Sequence, residues 1–169
     1  MNYHKIEKTS IANGEGIRVV LWVSGCSLHC RGCHNPETWS FCSGRLFDDE
    51  AKRELFEALD KPYIQGITLS GGHPFEENNR STIYCLVKEI KEKFPNKDIW
   101  IYTGYTWEDI FEKDIREIQR ILYWTDVLVD GQYVDELRDL TLKFCGSKNQ
   151  RLIDVKESFK QGKVVLWHN

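Results

Sequence analysis

Residues 24–36 read SGCSLHCRGCHNP and place Cys26, Cys30 and Cys33 at C-x3-C-x2-C spacing directly after the apolar run IRVVLWV at 17–23. A run that is β-branched and nearly continuous reads as a buried strand of a parallel sheet. The three thiols therefore sit in the loop where a strand ends. Thiolates are soft ligands that select zinc or iron–sulfur clusters. Closed sites of either kind take four protein ligands. Three cysteines on a four-iron cluster would leave one iron free for a small molecule, by the logic that keeps catalytic zinc sites open. A zinc site completed by His29, His34 or Cys42 is the competing reading of the same loop.

The alternation continues downstream. Asp48 reads as an N-cap for a helix to residue 59. QGITLS at 65–70 is a second buried strand, and it runs into Gly71-Gly72-His73-Pro74. A helix is expected over 78–94, with Ile83, Leu86, Val87, Ile90 and Phe94 on one face. DIWIY at 98–102 is a third strand, followed by Thr103-Gly104-Tyr105, then a helix over 108–122. DVLV at 126–129 is a fourth, followed by Asp130-Gly131-Gln132. Residues 1–16 read as a lead-in, 152–161 as a short helix and 163–167 as a last strand.

Strand and helix in alternation predict an α/β fold with a mostly parallel sheet in a single domain, 1–169. Ligands of such sheets bind beyond the carboxyl ends of the strands. Each strand here ends in small or polar residues, so four motifs are expected to meet on one rim. Gly71 and Gly72 allow backbone to approach a ligand closely. His73, Thr103 and Asp130 are candidate contacts beside them. Arg18 and Arg151 are weaker candidates for meeting a carboxylate.

Composition excludes several classes. The net charge of −3 offers no basic field for nucleic acid and no polybasic patch for a membrane. No apolar run approaches the ~18 residues needed to span a bilayer. The polar start MNYHKIEKTS lacks the apolar segment of a secretory signal. A cytoplasmic protein is expected, in which six cysteines indicate metal or redox chemistry rather than disulfides. Cys42, Cys85 and Cys145 have no assigned role, Cys42 being closest to the motif. A dithiol redox protein using Cys30 and Cys33 would leave Cys26 and the glycine pair unexplained.

The cysteine spacing and the Gly-Gly-x-Pro segment resemble the radical S-adenosylmethionine (SAM) enzymes. The resemblance narrows with MNYHKI, NGEGIR, LWVSGCSLHCRGCHNPETW, ITLSGGHP, KDIWIYTGY, VLVDGQYVDEL and GSKNQR, in order across nearly all of the chain. Together they resemble the radical SAM activases of glycyl radical enzymes, in particular those of anaerobic ribonucleoside-triphosphate reductase. The chain departs from the pattern at Glu15, where proline is common, at His73, where an acid is usual, and at Gly32, where many radical SAM enzymes carry an aromatic.

The resemblance implies a partial, TIM-like βα barrel of the radical SAM type. It implies one 4Fe-4S cluster on Cys26, Cys30 and Cys33, with SAM on the fourth iron against Gly32, Cys33, His34, Gly71, Gly72 and His73. A low-potential donor would supply an electron, SAM would yield a 5′-deoxyadenosyl radical, and that radical would take hydrogen from a glycine of the reductase large subunit. An activase of another glycyl radical enzyme, such as pyruvate formate-lyase, and a zinc-binding α/β adaptor are the alternatives.

Overall fold

The strand that precedes the cysteines forms as its apolar run predicts, at Arg18–Val23 (β2), and five of its six residues are buried. The computed structural model describes residues 1–167. Three further strands lie parallel beside β2: Gly66–Gly71 (β4), Asp98–Tyr102 (β5) and Val127–Asp130 (β6). Their registers run Val23↔Gly71, Leu69↔Ile101 and Tyr102↔Val129, which aligns the carboxyl ends of all four.

The edges differ from the expectation. Residues 1–16 are not a lead-in: Asn2–Ser10 is a strand (β1), antiparallel to β2. Its residues are largely polar because only Tyr3 and Ser10 are buried, so no apolar run announces it. Arg45–Leu46 (β3) pairs outside β1. Arg151–Asp154 (β7) is a strand rather than part of a helix, antiparallel to β6. The sheet is therefore a mixed, open seven-stranded one in the order β3-β1-β2-β4-β5-β6-β7. Its pairings divide equally, with three parallel in the centre and three antiparallel toward the edges. Residues 163–167 contribute only a bridge between Leu166 and Ile153.

Helices Asp49–Leu59 (α1) and Glu77–Lys93 (α2) form close to where the apolar periodicity places them, α1 capped by the Asp48 carboxylate on the Ala51 N–H at 3.0 Å. The helix expected over 108–122 is two, Trp107–Glu112 (α3) and Arg116–Leu122 (α4). The break is at Asp114, whose φ of 46° ends α3, while Ile110, Ile118 and Leu122 still reach one core. Val155–Gln161 (α5) follows β7, capped by Asp154.

Alternate residues of the strands face opposite sides. Val19, Leu21, Ile67, Leu69, Ile99 and Ile101 join the helices in the main core. The other side carries Arg18, Thr68 and Trp100, all buried. Arg18 closes the amino end of this side. It donates to Thr68 Oγ1 (2.9 Å), to the Ile67 carbonyl (2.9 Å) and to the Glu15 carbonyl (3.0 Å), pairs with Asp98, and lies over the Trp100 ring at 5.1 Å. The ligand role considered for Arg18 is thus corrected: its donors are consumed at the end of the sheet opposite the cysteines. Removing one partner of a buried pair strands the other. Arg18→Ala is expected to cost about 3–5 kcal/mol in urea unfolding, with the iron content of the remaining folded protein unchanged. A loss under about 1 kcal/mol would contradict this account.

Candidate functional site

The loops after β2, β4, β5 and β6 surround a cleft of about 260 Å³ at the carboxyl end of the parallel strands. Cys26, Cys30 and Cys33 line it from the first loop, and Gly71, Gly72 and His73 from the second. Thr103 and Gly104 line it from the third, Gly131 and Tyr133 from the fourth. His34 also lies on the wall. Gly32 is exposed beside it.

The cysteine loop is held by backbone. Gly25 donates to the Thr38 carbonyl (2.8 Å) and Cys26 to that of Trp39 (3.0 Å). Cys33 donates to the Cys30 carbonyl (3.1 Å), which bends the loop back on itself. Cys26 is buried at its foot, and Cys30 and Cys33 are half-buried. Burial pushes the Cys26 thiol up. Gly32 has a left-handed φ of 73°, and a Cβ there would lie 2.6 Å from the Asp135 carboxylate. A side chain at that position would be strained by this φ and would press on Asp135; the aromatics on the cleft wall are Trp22, Tyr102, Tyr133, whose ring lies 5.5 Å from His34, and Trp39, 4.7 Å from His29. Sequence reasoning had no signal for any of them, since the fold rather than the motif brings them to the wall.

The glycine loop is sewn to the cysteine loop. Gly72 donates to the Val23 carbonyl and His73 to that of Gly25, both at 2.8 Å. A Cβ on Gly71 would meet Val23 backbone at 2.7 Å, and one on Gly72 would meet the Gly25 carbonyl oxygen at 2.6 Å. Only glycine permits this approach.

His73 is buried, with Nε2 2.8 Å from Thr103 Oγ1 and Nδ1 3.3 Å from Glu76 Oε1. Glu76, which the sequence did not single out, accepts from both the backbone N–H and the hydroxyl of Ser27 at 2.7 Å. Hydrogen bonds from His73 and Ser27 hold its carboxyl down at about 2.

Asp130 does not reach the cleft as expected. It is fully buried and both its oxygens are taken, by the Trp107 N–H (2.8 Å) and by Arg151 (2.5 and 3.0 Å). Arg151 in turn grips Glu108 at 2.6 and 3.1 Å. This network ties β6, β7 and α3 together and leaves neither residue free for a ligand. Cys42 and Cys85 are exposed, and Cys145 is half-buried, its thiol pushed up to about 11 by burial.

The donor set suits an iron–sulfur cluster. Three thiols of one loop line a single cleft, and beside them the buried Trp39 indole N–H has no partner, which offers a donor to an anionic, sulfur-rich group. Among the described residues, no three His, Cys, Asp or Glu side chains lie where they could hold a single metal ion. Among those residues too, no helix is long and apolar enough to cross a membrane.

Comparison with known proteins points the same way. Residues 12–153 match the family described as a 4Fe-4S single cluster domain. The anaerobic ribonucleoside-triphosphate reductase-activating protein of Enterobacteria phage T4 is 45% identical over 152 residues, covering 90% of this chain and 93% of the relative. Proteins of the same name from Pasteurella multocida and Escherichia coli K12 are each 40% identical over 152 residues, covering 89% of this chain and 95% and 96% of the relatives. With residues 12–153 matched to the family model and about nine-tenths of the chain to the relatives, the chain belongs to the family of anaerobic ribonucleoside-triphosphate reductase-activating proteins and carries a 4Fe-4S single cluster domain.

Proposed function

We propose that this chain installs a glycyl radical on the large subunit of anaerobic ribonucleoside-triphosphate reductase by reductive cleavage of SAM at a 4Fe-4S cluster. The observation that carries this reading is the convergence of three thiols and the Gly71-Gly72 loop on one cleft, in a chain whose relatives bear the activating protein's name. Those names favour the reductase over pyruvate formate-lyase as partner. The open sheet, with its ligand cleft beyond the parallel strands, is consistent with an incomplete TIM-like barrel of the radical SAM type.

Cys26, Cys30 and Cys33 would hold three irons and leave the fourth open. The cluster and SAM, when bound, would supply one-electron reductive cleavage of the S–C5′ bond, the electron coming from a low-potential donor, and hydrogen abstraction from the target glycine. The protein's part is placement and exclusion of water, because a primary alkyl radical attacks almost any C–H bond. Gly71 and Gly72 would supply close backbone for the methionine end of SAM, with Gly32, Cys33, His34, His73 and Thr103 around it. The barrel's open side would admit the glycine loop of the reductase. The reaction belongs in the cytoplasm, where thiols stay reduced.

Anaerobic reconstitution is expected to give about four irons and four sulfides per chain. The reduced protein's EPR spectrum should shift with SAM, and mixing with the reductase large subunit should produce a glycyl radical signal. Cys26→Ala, Cys30→Ala and Cys33→Ala should each abolish it, whereas Cys42→Ala should assemble a full cluster. Bound zinc in place of iron, or a cluster indifferent to SAM, would refute the proposal.

Gly72→Ala tests the approach of the two loops. Its methyl would press on a carbonyl oxygen that cannot move freely, at about 1–3 kcal/mol. SAM affinity, read by titrating the EPR shift, should fall roughly ten- to a hundredfold with iron content retained.

A further inference from the structure

The acid usual after the paired glycines is a histidine here, yet a carboxylate stands directly behind it. Glu76 is buried, and the side chain it faces is His73 rather than a lysine or arginine. Its Oε1 accepts from Ser27 N–H and Ser27 Oγ–H at 2.7 Å and faces His73 Nδ1 at 3.3 Å. An ionised carboxylate only accepts, so Nδ1 must carry the proton. In the neutral ring Nε2 is then bare. It accepts the Thr103 hydroxyl at 2.8 Å, and the Thr103 oxygen accepts the Tyr105 N–H at 3.1 Å. Each donor in this chain thereby finds one acceptor. The edge of Tyr105 packs against the imidazole with ring centres 4.6 Å apart, and Asn79 Nδ2 donates to the carbonyls of Ser24 (2.9 Å) and His73 (3.2 Å). The ring can neither tilt nor slide without breaking a contact.

We propose that Glu76 is a positioning residue of the cleft, which clamps the cysteine loop through Ser27 and fixes His73 as the Nδ1–H tautomer. Nε2 is thereby left without a proton, its lone pair taken by the Thr103 hydroxyl, with a carboxylate behind the ring. A cationic ligand group near Nε2 would meet, one ring removed, the negative charge that an acid at position 73 would present directly. Carboxylate-backed imidazoles gain basicity and orientation in this way. The clamp and the tautomer stand on the hydrogen bonds alone; the ligand's being SAM rests on the proposed function.

Long-range ¹H–¹⁵N spectra of the uniformly labelled full chain, before and after cluster reconstitution, read the tautomer directly. The wild type should show His73 protonated at Nδ1 and bare at Nε2. A ring protonated at Nε2, or at both nitrogens, at pH 7.5 would overturn the assignment without recourse to any variant. In Glu76→Leu, which removes the oxygen that accepts from Ser27 and His73, the His73 signals should move toward the other tautomer, a change that general loosening of the fold would not produce in that direction. The same variant, reconstituted with iron, should bind SAM roughly tenfold more weakly by EPR titration, as expected for loss of a hydrogen bond to a charged group. A Glu76→Leu protein with unchanged tautomer and unchanged SAM affinity would refute the role. A wild type with the expected tautomer that ignores SAM would refute the proposed function while supporting the positioning role of Glu76.

Discussion

The approach of the loop after β4 to the loop after β2 is the constraint on which the cleft depends. In-register parallel pairing ends at Val23 and Gly71, and hydrogen bonding continues beyond the strands from Gly72 to Val23 and from His73 to Gly25. The two backbones come so close that a single methyl at 71 or 72 would strike main-chain atoms. The paired glycines are therefore a condition for the sheet's two central strands to deliver their loops to one point. Thr103 enters the same assembly through its N–H on the Val129 carbonyl, which ties the ends of β5 and β6 to it. The cysteine loop inherits its shape from these neighbours more than from its own short-range bonds.

Charge is distributed along the sheet in a way that separates stability from chemistry. Arg18 and Asp98 close the amino end, and Arg151, Asp130 and Glu108 lock the last strands and α3. Both are buried or half-buried ion pairs with their remaining donors matched, the condition under which such pairs do not destabilise. Among them, Arg18, Arg151 and Asp130 are the charged residues that resemble ligand contacts in the sequence. A charged residue beside a glycine-rich segment looks alike whether it meets a ligand or fastens a strand, because the deciding partners, Asp98 for Arg18 and Glu108 for Arg151, are 80 and 43 residues away.

The sequence was most informative where the signal was local. The central strands announce themselves by continuous apolar runs, and the cysteine and glycine motifs by spacing within a few residues. The signal fades where burial is one-sided: β1 has a polar majority because it sits near the edge with one face open, and β7 reads as part of α5 because four residues before a helix cap carry no period of their own. The split between α3 and α4 was hidden because Ile110 and Ile118 keep helical spacing across the break at Asp114. Glu76 escaped for a third reason. The histidine three residues earlier was in plain view, but Ser27, which shows what the carboxylate does, lies 49 residues upstream.

Burial within the cysteine loop also bears on how such a centre can be both protected and reached. Cys26 is buried, Cys30 and Cys33 are half-buried, and the intervening Ser27, His29, Arg31 and Gly32 are exposed. The sulfurs thus line the cleft while the loop's other side faces outward. Under the proposed function a protein substrate must enter on the open side of the sheet, since helices cover the other face. Rigidity of the inner side is then essential, because any slack would let water or the wrong C–H bond reach the reactive carbon. Bonds from Gly25, Cys26, Gly72 and His73 supply that rigidity from the backbone, and Glu76 adds to it from a side chain.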